Sequence, residues 1–157
     1  MHEIQVGYKE NKADFTAIAL KSSIEQDLRI KGIRSLRIID VYRIESNLFP
    51  SQIQRIAKEL LHDPVTQNYS IEKPFSFQFD WLIEVKFHDN VTDNVATAAL
   101  EGIEDLIGRR FRDNEWVKTA RHYLIEGKLS EHEIQRVCKD LLANELIEYY
   151  SYRKGHK

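Results

Sequence analysis

Histidine, cysteine and acidic residues are the side chains most able to do chemistry, and in this sequence their spacing does not bring them together. The six histidines include no pair at the spacing of a helical metal site, and there is a single cysteine. Asp63 and Asp93 could act as acids, yet both fall at predicted helix ends, where aspartate commonly caps a helix. There is no glycine-rich phosphate loop and no Ser-His-Asp motif. We therefore predict no catalytic, cofactor-binding or metal-ligating residue, and a structural or interaction role.

Asp40 and Arg121 form a more informative pair. They occupy corresponding positions on two long predicted strands, since 121 − 40 = 81, and each lies on an otherwise apolar face. In a symmetric homodimer an acid would face an acid near the twofold axis, whereas here the two charges are opposite. We hypothesise that this difference favours pairing of the two halves within one chain. The alternative is that both side chains are solvated, where such a pair contributes about 0–1 kcal/mol.

Length and composition indicate a globular protein of one ordinary domain or two small ones, since the chain has 157 residues. The net charge of −2 does not indicate nucleic acid or an anionic membrane as a partner. No apolar run approaches the roughly 18 residues of a membrane-spanning helix. The first residues do not resemble a secretory signal, and a single cysteine is typical of a reducing compartment. The expected location is cytoplasmic.

The chain repeats itself. The helix-to-strand segment at 60–71 returns at 141–152, an offset of 141 − 60 = 81. We predict a first unit at residues 1–73, a linker at 74–79, a second unit at 80–153 and a frayed tail at 154–157. The linker holds three alternating phenylalanines, which favour a packed connection over a flexible tether.

Each unit is predicted to fold as βαβαβ from its hydrophobic periodicity and its helix caps. The first unit is predicted to contain strands at Glu3–Tyr8, Arg34–Glu45 and Val65–Ile71, a helix from the cap Asp14 to about Ile30 ended by Gly32, and a helix from Pro50. The second is predicted to contain strands at Trp81–Phe87 and Trp116–Glu126, a helix capped by Thr92 or Asp93 and ended by Gly108, and a helix with the capping box Ser130/Glu133. Cys138, on the apolar face of that last helix, is expected to be a buried, inert thiol.

Two such units in one chain suggest a fused dimer of the α+β class. A unit of about 75 residues is marginally stable alone. We expect the two sheets to be packed together, with the helices outside and the long strands near a pseudo-twofold axis. The long strands carry apolar residues on both faces, which fits a position between two layers.

Three segments resemble the PurS family, the small subunit of phosphoribosylformylglycinamidine synthase. Residues 140–149, Asp-Leu-Leu-Ala-Asn-Glu-Leu-Ile-Glu-Tyr, resemble the family's ending, and Asp63-Pro64-Val65 resembles an Asn-Pro-Val variant of it. Residues 87–93, Phe-His-Asp-Asn-Val-Thr-Asp, resemble its strand-to-helix segment. The resemblance covers residues 3–72 and 80–153, so the chain looks like a tandem PurS-like protein.

The long strands depart from the family, which usually has Arg-x-Gly-Lys there. Residues 37–40 read Arg-Ile-Ile-Asp and residues 118–121 read Lys-Thr-Ala-Arg, so the glycine is absent from both and the basic character survives only in the second unit. Asp40, Lys118 and Arg121 are therefore the candidate interface or partner contacts. Ala96 also stands where the family usually has glycine.

The resemblance implies a non-catalytic adaptor in de novo purine biosynthesis. PurS-like units join the synthetase (PurL-type) and glutaminase (PurQ-type) subunits, and the complex amidates formylglycinamide ribonucleotide with ATP and glutamine. ATP and Mg are expected in the synthetase partner, with no cofactor in this chain. The chain could be a free subunit or an N-terminal domain, and a homodimer of tandem chains is possible.

An alternative is a small-molecule-sensing regulatory module, since paired α+β sheets often bind amino acids or nucleotides at their interface. That function requires a pocket between the two units. An independent enzyme is the weakest hypothesis, because no catalytic constellation is visible.

Overall fold

The computed structural model describes residues 1–155, which form a six-stranded antiparallel sheet with four helices, as predicted for the α+β class. The strands are β1 (His2–Tyr8), β2 (Ile33–Glu45), β3 (Gln67–Ile71), β4 (Trp81–Phe87), β5 (Trp116–Gly127) and β6 (Glu148–Lys154). The helices are α1 (Phe15–Gln26), α2 (Pro50–Ile56), α3 (Asn94–Ile107) and α4 (Glu131–Val137). A short 3₁₀ turn at Asn11–Ala13 precedes α1.

The order of elements repeats, as the sequence predicts. Each half contains a strand, a helix, a long strand, a second helix and a final strand. The second helices, α2 and α4, each continue into a π-helical turn, at Ala57–Leu61 and at Cys138–Leu142. These turns are separated by 138 − 57 = 81 residues, so the repeat extends to an uncommon local conformation.

The strands form one sheet, in the order β3-β1-β2-β5-β4-β6. The expectation of two sheets packed face to face is therefore wrong. The long strands β2 and β5 instead lie side by side and pair antiparallel, from Ser35 opposite Glu126 to Glu45 opposite Trp116. Each long strand would otherwise leave one edge of backbone N–H and C=O groups without partners, and this pairing satisfies both edges at once.

All four helices cover one face of this sheet and pack in two clusters. The strand residues in both clusters share one alternation of β2, with Leu36 and Ile38 in one and Ile44 in the other. The first cluster joins α1 to α4 through Ala17, Ile24, Ile134, Val137 and Cys138. The second joins α2 to α3 through Ile53, Ile56, Ala96, Ala99 and Ile103. Each cluster thus combines a helix from the first half with one from the second.

The predicted helix caps are confirmed. Asp14 accepts a hydrogen bond from the Ala17 amide at 3.0 Å, and Asp93 accepts one from the Ala96 amide at 2.9 Å. Ser130 and Glu133 form the predicted capping box. These caps fix where α1, α3 and α4 begin against the sheet.

The end of α1 differs from the prediction. The helix stops at Gln26 rather than near Ile30, and Arg29 adopts a left-handed conformation with φ of 55°. Gly32 (φ 101°) is therefore not the helix stop. It lies instead against Gly127, where a Cβ atom would come within 2.0 Å of the Gly32 carbonyl oxygen.

The face opposite the helices is crossed by residues 74–79, which we call the aromatic strap. Phe75, Phe77 and Phe79 of the strap pack against a patch at the centre of the sheet. That patch comprises Ile39, Val41, Ala120 and Leu124. The predicted packing of this segment is thus confirmed, and the strap explains why the long strands are apolar on both faces.

The predicted frayed tail is wrong for its first two residues. Lys154 belongs to β6 and lies opposite Trp81, and the Gly155 amide donates to the Asp80 carbonyl at 2.8 Å. Residues 156 and 157 lie outside the described residues. The division of the chain into units at 1–73 and 80–153 remains a prediction, since both ranges contribute strands to the same sheet.

Candidate functional site

Asp40 and Arg121 lie directly opposite each other at the centre of the β2–β5 ladder. Arg121 Nε donates to Asp40 Oδ1 at 3.3 Å. The two side chains are half-exposed, at 43% and 49% of their full accessible surface. The predicted proximity of the two charges is confirmed, whereas their role in partner contacts remains a prediction.

The Asp40–Arg121 pair lies at the position of the ladder where equivalent residues of the two halves face each other. Asp40 and Arg121 are repeat equivalents, and the paired register of β2 with β5 makes them face each other. With two identical units, this position would therefore set one residue against its own copy. Like charges directly opposite each other in a sheet are destabilising, and the opposite charges here avoid that repulsion.

Two tyrosines flank the charge pair on the helix-covered face. Tyr42 and Tyr123 are also repeat equivalents, since 123 − 42 = 81. Burial raises the pKa of both phenols, and for Tyr42 the neighbouring Asp40 carboxylate raises it further. Both hydroxyls are therefore neutral at physiological pH and able to donate a hydrogen bond.

Cavities open on both sides of the Asp40–Arg121 pair. One has a volume of about 380 Å³ and its walls include Tyr42, Thr119 and Tyr123. The other, of about 190 Å³, is lined by Asp14 and other residues of the first half. Both charged residues line both cavities, so the centre of the sheet is a polar groove between the two helix clusters.

Lys118 lies apart from the other two predicted site residues. Side chains alternate along a strand, so residues three apart face opposite sides of the sheet. Lys118 therefore lies on the strap side, where its ammonium sits 4.7 Å from the centre of the Trp116 ring. The alternation was visible in the sequence and could have separated Lys118 from Arg121 in advance.

Asp93 has a role beyond capping α3 that the sequence did not reveal. Its Oδ2 accepts hydrogen bonds from the Thr119 amide at 2.9 Å and from the Thr119 hydroxyl at 2.7 Å. One carboxylate thus fixes the start of α3 to β5 beside the polar groove. The contact spans 26 residues, and sequence spacing alone does not indicate it.

A charged network on the strap side of the sheet was also missed. Glu84 pairs with Arg43, and His122 Nε2 lies 3.0 Å from Glu84 Oε1. Arg43 also donates from Nε to Glu3 Oε2 at 3.0 Å. The hydrogen bond with His122 and the pairing with Arg43 lower the pKa of Glu84 to about 2.

The remaining candidates for chemistry have structural positions. Burial raises the pKa of the Cys138 thiol to about 12, which is consistent with the predicted inert thiol. Asp63 accepts a hydrogen bond from the Val65 amide in a turn. Within residues 1–155, no three His, Cys, Asp or Glu side chains converge as a metal site would require.

A charge exchange tests whether the central pair contributes to folding. We expect Asp40→Arg to lower the free energy of unfolding by about 0.5–1 kcal/mol, because two guanidinium groups would then face each other in a solvent-screened position. The double variant Asp40→Arg/Arg121→Asp should recover most of that loss. Urea denaturation of the four proteins measures the interaction, and strictly additive effects of the two substitutions would contradict it.

The Glu84 network predicts a defined pH dependence. A carboxylate with a lowered pKa stabilises the fold above its unfolded pKa near 4.5, and loses that contribution as pH falls toward 2. At pH 6 we expect Glu84→Gln to be less stable than the wild type by about 3 kcal/mol, with the difference shrinking between pH 4.5 and 2.

Urea denaturation across that pH range provides the measurement. The exposed helical residue Glu101 supplies a matched control, since Glu101→Gln should leave the stability nearly unchanged at every pH. A difference between wild type and Glu84→Gln that stays constant from pH 6 to pH 2 would show that the network does not depend on the Glu84 charge.

Comparison with known proteins leaves the function open. No protein-family model matches this chain, and no curated protein matches it either. Among residues 1–155 there is no helix of the length and apolar character needed to cross a membrane.

Proposed function

We propose that this chain is a PurS-like, non-catalytic adaptor of phosphoribosylformylglycinamidine synthase, in which the two halves form a built-in dimer. The observation that carries the proposal is the repeat. Two βαβαβ halves join through their equivalent long strands, with the repeat-equivalent residues Asp40 and Arg121 face to face. A PurS-like ending occurs in both halves, at residues 63–65 and 140–149, which supports the same assignment.

The packing of the two halves suits an adaptor. They share one hydrogen-bonded sheet, and both helix clusters combine helices from the two halves. Surfaces on the first and second halves are therefore held at a fixed distance and angle. In the proposed complex, this rigidity would keep the glutaminase and the synthetase aligned, so that ammonia passes between them without escaping.

The divergence of the halves suits contacts with two different partners. At the equivalent positions 40 and 121 the first half carries an acid and the second a base. The exposed Lys118 adds a second cation to the second half on the strap side. We propose that Lys118 and Arg121, on opposite faces of the sheet, contribute to separate contacts made by the second half.

Reconstitution tests the adaptor function. With the cognate PurL-type and PurQ-type subunits, adding this chain should restore glutamine-dependent amidation of formylglycinamide ribonucleotide. The chain alone should be inactive, and ammonia-dependent amidation by the synthetase should not require it. Lys118→Glu should weaken complex assembly, whereas Lys139→Glu, at an exposed position on the π-helical turn after α4, should not.

Failure of glutamine-dependent activity with correctly folded cognate subunits would overturn the adaptor function. Equal effects of the two lysine substitutions would reject only the proposed Lys118 contact. Thermal unfolding of each variant separates lost contacts from lost folding.

A second candidate is the sensing module, favoured by the cavity of about 380 Å³ beside the central pair. Asp40 and Arg121 together offer a carboxylate and a guanidinium, which complement the ammonium and carboxylate groups of an amino acid. Calorimetric titration with free amino acids should then show binding that weakens about tenfold in Arg121→Gln. If none of the twenty amino acids gives a measurable heat of binding, this ligand class is excluded.

A further inference from the structure

β4 and β5 separate before either strand ends. Their ladder runs from Trp81 opposite Ile125 to Val85 opposite Arg121. Beyond that point β4 continues for two residues paired only with β6, and β5 continues toward Trp116 paired only with β2. In the first half the matching ladder of β1 with β2 extends one pair further, to Gly7 opposite Ile39. The second half thus has a gap in its sheet.

A cavity of about 480 Å³ lies at this gap. Its walls include two lysines, Lys86 on β4 and Lys118 on β5, and the aromatic residues Trp116 and Tyr149. The Lys86 ammonium lies 4.9 Å from the centre of the Tyr149 ring, and the Lys118 ammonium lies 4.7 Å from that of Trp116. Within residues 1–155 neither lysine forms an ion pair, so both charges remain available.

Most other polar groups around the cavity already have partners. Arg43 and Glu3, which both line the cavity, form an ion pair with each other, and Arg43 also pairs with Glu84. The Asp93 carboxylate accepts two hydrogen bonds from Thr119. These ionic and hydrogen-bonded groups leave the two lysines as the cations free to bind a ligand, with the carboxylates of Asp89 and Asp93 as the opposing charges in the wall.

His88, another polar side chain of the wall, is also engaged. His88 Nε2 lies 3.0 Å from the Glu145 carbonyl oxygen, and its ring stacks on Tyr149 at 5.3 Å between ring centres. The Tyr149 ring is therefore positioned by its neighbours before any ligand enters, which lowers the cost of ordering it on binding.

The equivalent place in the first half is filled by the chain itself. The counterpart of Lys118 is Arg37, since 118 − 37 = 81, and the Phe77 ring of the aromatic strap covers its guanidinium at 3.8 Å. The counterpart of Lys86 is Gly7, at the offset of 79 residues that relates the two capping aspartates, 93 − 14. A Cβ at Gly7 would lie 3.6 Å from the Phe75 ring. In the first half, an aromatic ring of the chain itself therefore already lies over the cation at this position.

The residues beneath the strap and the residues that line the cavity differ in polarity. Under the strap, Leu82 and Leu124 belong to an apolar cluster. Their repeat equivalents, by the same offsets, are Glu3 and Arg43 of the first half, and both line the 480 Å³ cavity. An apolar peptide segment would leave these charges desolvated beneath it, whereas a polar ligand keeps them hydrated. The second-half cavity is therefore unsuited to a strap and suited to a small polar occupant.

We propose that the gap between β4 and β5 binds a small organic anion that carries a planar ring, with the phosphate or carboxylate held by Lys86 and Lys118 and the ring stacked on Trp116. Charge-assisted hydrogen bonds from the two ammonium groups would hold the anion. Stacking on the indole would hold the ring. Neither Asp40 nor Arg121 lines this cavity, although Lys86 and Thr119 also line the cavity beside that pair, and the site does not depend on the adaptor function.

Binding of adenosine 5′-monophosphate, a probe with both chemical features, tests the site. Titration of the full chain should shift the indole N–H resonance of Trp116 in a nitrogen-edited NMR spectrum, assigned with Trp116→Phe. Adenosine, which lacks the anion, and ribose 5-phosphate, which lacks the ring, should each bind about tenfold more weakly. Inorganic phosphate separates a general anion site from one that requires the ring.

Matched lysine variants complete the test. Lys86→Met/Lys118→Met keeps the aliphatic stems and should weaken binding about tenfold or more, whereas Lys58→Met/Lys139→Met, at two exposed positions on the π-helical turns, should not. Unchanged thermal unfolding confirms that the first variant is folded. The proposal is overturned if adenosine binds as tightly as its monophosphate, if both double variants bind equally, or if millimolar probe leaves the Trp116 resonance in place.

Discussion

The antiparallel ladder between β2 and β5 is the interaction on which the rest of the structure depends. Without it, each half would be a three-stranded sheet with an open edge and helices on one side only. The ladder closes both edges, and it brings α1 against α4 and α2 against α3. Packing and backbone hydrogen bonding therefore favour the same arrangement of the halves, and neither half retains its core if the ladder opens.

The ladder places equivalent residues of the two halves opposite each other. A sequence difference between the halves at its centre therefore changes the interaction across the ladder. In two identical halves, one residue would face its own copy at this position. Here Asp40 faces Arg121, and the two form an ion pair. On the strap side, phenylalanines cover one end of the ladder, around Arg37 and Leu124, while the other end presents the Glu84 network and two free lysines. An architecture built twice thus offers two chemically different surfaces, which is what either proposed binding role requires.

Much of the fold could be predicted because its determinants are local. Periodic apolar residues indicate each helix and strand, and the capping residues Asp14, Asp93 and Ser130 mark where helices begin. The end of α1 was misplaced because Gly32 satisfies the usual pattern of a helix stop, while its actual role is a close approach to Gly127. That approach joins residues far apart in the chain and has no local pattern.

The sequence by itself determined the repeat, the type of each element and the opposite charges at positions 40 and 121, since spacing and residue type suffice for these. Only the tertiary structure decided that the long strands pair edge to edge rather than stack, because two-sided apolar strands are compatible with either arrangement. It also decided that Lys118 meets Lys86 across a gap in the sheet. Strand register sets such meetings, and register is fixed by hydrogen bonds between distant segments.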